Sequence, residues 1–162
     1  MDRMQQKLKF VKEFLDDEKI VAFIEEDDLD NVFRCLIHET GIDVYYLTRY
    51  LLSLDIDPLE FMTTIPHEMF SRVYRDNTDP VVINIPQTIK TIGEYAFYKC
   101  SSIVQVKIPA SVREIGFGAF VGCTALEVVD IKNGNITFDE MVFENCPNVI
   151  VRVPKGAKCI QY

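Results

Sequence analysis

Between residues 81 and 154 one phrase recurs, and Cys100, Cys123 and Cys146 mark its period of 23 residues. Ile85-Pro86 leads through Ala96-Phe97 to Cys100, and Ile108-Pro109 leads through Ala119-Phe120 to Cys123. A worn third copy ends at Phe143 and Cys146. A unit this short cannot bury its own apolar face, so it must lean on its neighbours, and the chain is restricted here to a stacked repeat. Ile103, Val106 and Ile108 predict a short strand facing the coil interior, with Ala96-Phe97 as the opposite wall. Gly93 and Gly116 predict either a positive φ or a close approach of backbones. The strands 81–85, 103–108, 126–131 and 149–153 are expected side by side in one parallel sheet.

Ile85-Pro86, Ile89, Ile92-Gly93, Ala96-Phe97, Cys100, Ile103, Val106 and Ile108-Pro109 together resemble the BspA-type (Treponema pallidum-type) leucine-rich repeat. The second copy keeps the register through Val112, Ile115, Gly116, Ala119, Phe120, Cys123, Leu126, Val129 and Ile131. The third drifts: Asp139 stands for the glycine, Val142 for the alanine, and 151–153 falls one residue early. Val153-Pro154-Lys155-Gly156-Ala157 is similar to the truncated strand and tail that close such arrays. The resemblance implies a solenoid over about 81–158 that binds proteins, as bacterial surface proteins and adhesins of this type do.

The charge is divided unevenly. Residues 1–79 hold nine Lys and Arg against eighteen Asp and Glu, and residues 80–162 hold eight against seven, within a net charge of −8. In the first half Leu8, Val11, Phe14 and Leu15 share one helical face, as do Val32, Phe33, Leu36 and Ile37 after the acidic run 25–28. Gly41 reads as a helix stop and Asp43 as the cap of a helix carrying Tyr46, Leu47, Tyr50, Leu51 and Leu54. Asp57-Pro58 opens a further helix through Leu59, Phe61 and Met62, and a last one is expected from Pro66 through Met69, Phe70 and Val73. The expected fold class is α+β. An acidic helical domain at 1–79 caps the amino-terminal end of a solenoid at 80–162, built of about three repeats and a truncated last strand.

Residues between the buried strand positions should project into solvent in two rows. One is Asn84, Lys107, Asp130 and Arg152, alternating in sign; the other is Val82, Gln105, Val128 and Ile150, mostly apolar. Val82, Asn84, Gln105, Lys107, Val128, Asp130 and Arg152 are the candidate partner-binding residues. The exposed last coil is a second candidate contact, for self-association through its edge strand.

Chemistry is sparse. His38 and His67 are each followed by Glu, with no second histidine at zinc-binding spacing and no closely spaced cysteine pair. Five cysteines, three at repeat-equivalent sites, read as a ladder of buried thiols. Gly116-Phe117-Gly118 and Gly122 fall one residue out of a dinucleotide fingerprint, and Asn135-Ile136-Thr137 fits a glycosylation acceptor. The stretch 36–52 has the outline of a helix-turn-helix, but Arg49 is the one basic residue between 43 and 54, so direct nucleic-acid binding is not expected. No metal, cofactor or catalytic group is expected. No membrane span is expected either, and an amino terminus of Asp2, Arg3, Gln5, Gln6 and Lys7 predicts a cytoplasmic protein. The expected function is a non-enzymatic protein-binding module, resembling a bacterial or bacteriophage-encoded inhibitor or adaptor of a host protein. The alternatives are an acidic DNA mimic that occupies a nucleic-acid enzyme and a fragment of a cell-surface adhesin.

Overall fold

The computed structural model describes residues 57–75, 77–158, 160 and 161, together with 48, 49, 52 and 55. The chain divides into two compact units, Met1–Met62 and Thr63–Tyr162. The helices expected over 4–15 and 29–40 lie outside the described residues. Of the one expected over 43–54, Thr48, Arg49 and Leu52 are described, and all three are helical. At the end of the first unit the Asp57 carboxylate accepts from the Leu59 N–H at 2.9 Å, the cap the sequence predicts. It opens a single 3-10 turn, Pro58–Phe61, which ends in extended backbone at Met62, so the expected helix is one turn long.

The second unit is a parallel β-solenoid that carries two sheets rather than the single sheet expected. Strands β2 (Val81–Asn84), β4 (Ile103–Ile108), β6 (Val128–Ile131) and β8 (Ile150–Arg152) form the expected parallel sheet, in that order. A second parallel sheet runs β1 (Thr64–Ile65), β3 (Thr91–Ile92), β5 (Glu114–Ile115), β7 (Thr137–Phe138) and β9 (Ile160–Gln161). Its strands are two residues long, below what an alternating pattern can reveal.

The repeats also begin earlier than residue 80, since β1 pairs with β3 through Thr64 to Thr91 and Ile65 to Ile92. The segment after β1, expected as a helix from Pro66, is instead a run of tight turns. In a helix each N–H beyond the first turn would bond back within its own segment. Here alternate N–H groups do so, from Met69 to Pro66, Ser71 to Glu68 and Val73 to Phe70. The others cross to the next coil, from Glu68 to the Glu94 carbonyl at 3.0 Å, Phe70 to Ala96 at 2.8 Å and Arg72 to Tyr98 at 2.8 Å. Tyr95, Phe97 and Lys99 repeat the pattern onto Phe117, Ala119 and Val121. Left-handed residues set the zigzag: Glu68, Tyr95 and Gly118 at one corner, and Arg72, Lys99, Gly122 and Asn145 at the other.

Gly93 and Gly116 serve close approach, not a positive φ. A Cβ on Gly93 would lie 2.6 Å from the Ile65 carbonyl oxygen, and one on Gly116 would lie 2.6 Å from the Glu94 nitrogen. In the third coil Asp139 replaces this glycine and accepts from the Met141 N–H at 2.8 Å, opening a 3-10 turn, Glu140–Phe143. Val142 fills the alanine's place and is fully buried.

Between the walls lies the core. Phe70, Phe97, Phe120 and Phe143 stack with centroids 5.1, 5.1 and 5.7 Å apart, tilted by no more than 14°. Beside them the Cys100, Cys123 and Cys146 thiols donate to the carbonyls of Phe70, Phe97 and Phe120, each one coil back, at 2.9, 3.1 and 3.1 Å. All three are free thiols and buried, as the ladder reading expects.

Burial pushes the Cys100 thiol up to about 11, and the neighbouring Cys146 thiol together with burial pushes Cys123 up as well. An unfolded chain releases the Cys100 proton near its ordinary value of 9.0, whereas the folded chain holds it to about 11. Between those values the unfolded state binds fewer protons, so stability is full below pH 9 and is lost as pH rises toward 11. The contribution of Cys100 to that loss should reach about 2 kcal/mol by roughly pH 10.5. Urea titrations across that range should therefore show a shallower decline for Cys100→Ala than for the intact chain.

Candidate functional site

The outward face of the four-stranded sheet carries both predicted rows in register. Val82 pairs with Gln105, Gln105 with Val128, and Val128 with Ile150. The neighbouring row runs Asn84, Lys107, Asp130 and Arg152 across the same strands. The drifting third copy thus keeps its place, because the strand spacing falls from 23 residues between Gln105 and Val128 to 22 between Val128 and Ile150. Alternation along each strand drives the division. Ile83, Val106 and Val129 point inward and are buried, while Val82 is 46% exposed and Ile150 59%. Asn84, Lys107 and Arg152 are exposed, and Gln105, Val128 and Asp130 are half-buried.

Polar contacts order part of this face. Gln105 Nε2 donates to Asp130 Oδ2 at 2.9 Å, and Arg152 Nη1 lies 3.7 Å from Asp130 Oδ1. Asp130 thus ties strands β4, β6 and β8 together from outside, and such a partly exposed pair contributes a few tenths of a kcal/mol. Lys107 stands beside Asp130 in register but makes no ion pair among the described residues. The alternation of charge is therefore realised once.

The other face carries a feature the sequence reading missed. A groove of about 340 Å³ runs across β3, β5 and β7, with Gly93 and Gly116 among its lining and Glu94, Glu114, Phe117 and Asp139 around it. Its signal in the sequence is the row Thr91-Ile92-Gly93, Glu114-Ile115-Gly116, Thr137-Phe138-Asp139, readable once the two-residue strands are known.

The remaining motifs resolve into packing. Gly118 and Gly122 are left-handed corners of the turn wall, with no strand-to-helix turn between them. His67 is an exposed ring 4.0 Å from Glu94 and 3.9 Å from Glu68. His38 lies outside the described residues. Among the described residues no group of three or more His, Cys, Asp or Glu could hold a metal ion, and no helix is long and apolar enough to cross a membrane.

Comparison with known families agrees with this architecture. The BspA type leucine rich repeat region matches residues 63–161 in six copies, starting where the second compact unit starts. No curated protein and no solved structure matches the chain significantly. Leucine-rich repeats are generally protein-interaction modules, and those of this type are typically non-enzymatic. With well over half its length matched, and with coils, paired sheets and interior ladders to correspond, the chain belongs to the BspA-type leucine-rich repeat family.

Proposed function

We propose that the chain binds another protein through the outward face of its four-stranded sheet, and acts as an adaptor or inhibitor rather than as a catalyst. The observation that carries this reading is the row Val82, Gln105, Val128 and Ile150, in register across four strands with its two end members exposed. A mostly apolar strip flanked on one side by Asn84, Lys107, Asp130 and Arg152 has the composition of an interface, apolar residues beside a polar rim. The rim supplies specificity. Neighbouring strands set its charges about 4.8 Å apart, so a partner must match their order.

A photo-crosslinking residue placed at Val128 should trap a protein from lysate, whereas the same residue at Lys99, exposed on the turn wall, should not. Val128→Lys in a chain crosslinking from Val82 should reduce the trapped yield at least tenfold. Equal trapping from both positions, or a yield that Val128→Lys leaves unchanged, would exclude the sheet as the contact. Loss of the crosslink when duplex DNA is present during irradiation would favour the acidic DNA-mimic reading instead.

A further inference from the structure

The groove over β3, β5 and β7 has a chemistry distinct from that of the four-stranded sheet. Its lining holds three carboxylates, Glu94, Glu114 and Asp139, and contains neither lysine nor arginine. Two of these have partners: Glu94 lies beside His67, and Asp139 caps the turn behind it. Glu114 has none. It is exposed on β5 between Thr91 and Thr137 in register, and forms no ion pair among the described residues.

A second observation is independent of the charge. Phe117 is 39% exposed, although the equivalent position one coil earlier is the polar Glu94. Its ring is fixed edge-on against Tyr95, with centroids 5.5 Å apart, and Tyr95 is braced in turn by Tyr98 at 5.6 Å. An exposed ring and an unpaired carboxylate lining the same groove offer a cation both a π surface and a counter-charge.

The dimensions limit the occupant. Three strands set about 4.8 Å apart span about 10 Å, the reach of about three extended residues. We propose that this groove takes an extended peptide segment carrying lysine or arginine, its cation shared by the Glu114 carboxylate and the Phe117 ring. The site lies on the opposite sheet from the surface assigned to the main partner and stands or falls separately from it.

Fluorescence anisotropy with a fluorescein-labelled Gly-Arg-Gly-Arg-Gly amide tests this, against the same peptide with citrulline for arginine. The arginine peptide should bind at least tenfold more tightly. Glu114→Gln and Phe117→Ala should each weaken it at least threefold. Glu127→Gln, an equal change of charge at an exposed position outside the groove, and Val128→Lys should leave it within twofold. Equal binding of the citrulline peptide, or an equal loss in Glu127→Gln and Glu114→Gln, would overturn the proposal, the latter by showing diffuse attraction to an acidic chain. Displacement by spermidine as effective as by unlabelled peptide would overturn the peptide assignment in favour of a free polyamine.

Discussion

Phe97→Ala should cost the repeat unit about 4 kcal/mol, the largest loss expected from any single truncation in it. Phe97 is fully buried and lies between Phe70 and Phe120, each 5.1 Å away and within 4° of parallel. Its removal takes away a large apolar side chain and leaves two ring faces without a neighbour. The coils on either side are held at sheet spacing by their ladders, so the gap cannot close. Phe143 provides the internal comparison. It is half-buried, and it stacks on Phe120 at the longer distance of 5.7 Å. Phe143→Ala should therefore cost about half as much. The chain has no tryptophan, so urea denaturation followed by far-ultraviolet circular dichroism is the suitable measurement. Equal losses at the two positions would show that the ring column does not act as a continuous interior.

Gly116→Ala should be nearly as damaging, at about 3 kcal/mol, for the opposite reason. The added methyl would lie 2.6 Å from the Glu94 nitrogen and 2.8 Å from the Gly93 carbonyl carbon. Both are backbone atoms of the preceding coil and cannot rotate away, so relief requires the two coils to separate where the Gly116 N–H donates to the Ile92 carbonyl at 2.7 Å. Gly134→Ala is the control, because its methyl would meet Ala157 at an ordinary 3.5 Å. That substitution should shift stability by no more than about 0.5 kcal/mol. The urea midpoints of the two variants measure the contrast, and similar midpoints would mean that the glycine row does not govern coil spacing.

Legibility in the sequence followed the length of the repeated pattern. The four-stranded sheet and both of its surface rows could be read because Ile103, Val106 and Ile108 extend far enough to show alternation, and Val128, Val129, Asp130 and Ile131 repeat it. The five-stranded sheet could not, since Thr91–Ile92 and Glu114–Ile115 hold one buried residue each. The groove on that sheet was hidden for the same reason. The first coil was hidden differently. Phe70 lies 27 residues before Phe97 instead of 23, and Met69 and Val73 stand where later coils have Ala96 and Cys100. Met69, Phe70 and Val73 at steps of one and three then imitate a helical face. The distinguishing feature is the left-handed backbone at Glu68 and Arg72, where no glycine announces it. Gly118 and Gly122 show what those corners prefer, but their meaning depends on a backbone that the residues do not spell out.

The regular register between coils makes this unit a graduated ruler. From Gln105 to Val128 and from Glu114 to Thr137, one step of 23 residues advances both sheets by a single rung. The same step adds one ring to the Phe column and one thiol to the Cys ladder. Duplicating such a step within the array would lengthen the molecule by about 4.8 Å while repeating packing already present between the coils that carry Cys100 and Cys123. Each surface row would gain one member, whose identity is free because it points outward. Reach and recognition can thus be altered independently, the first by the number of steps and the second by the residue placed on each.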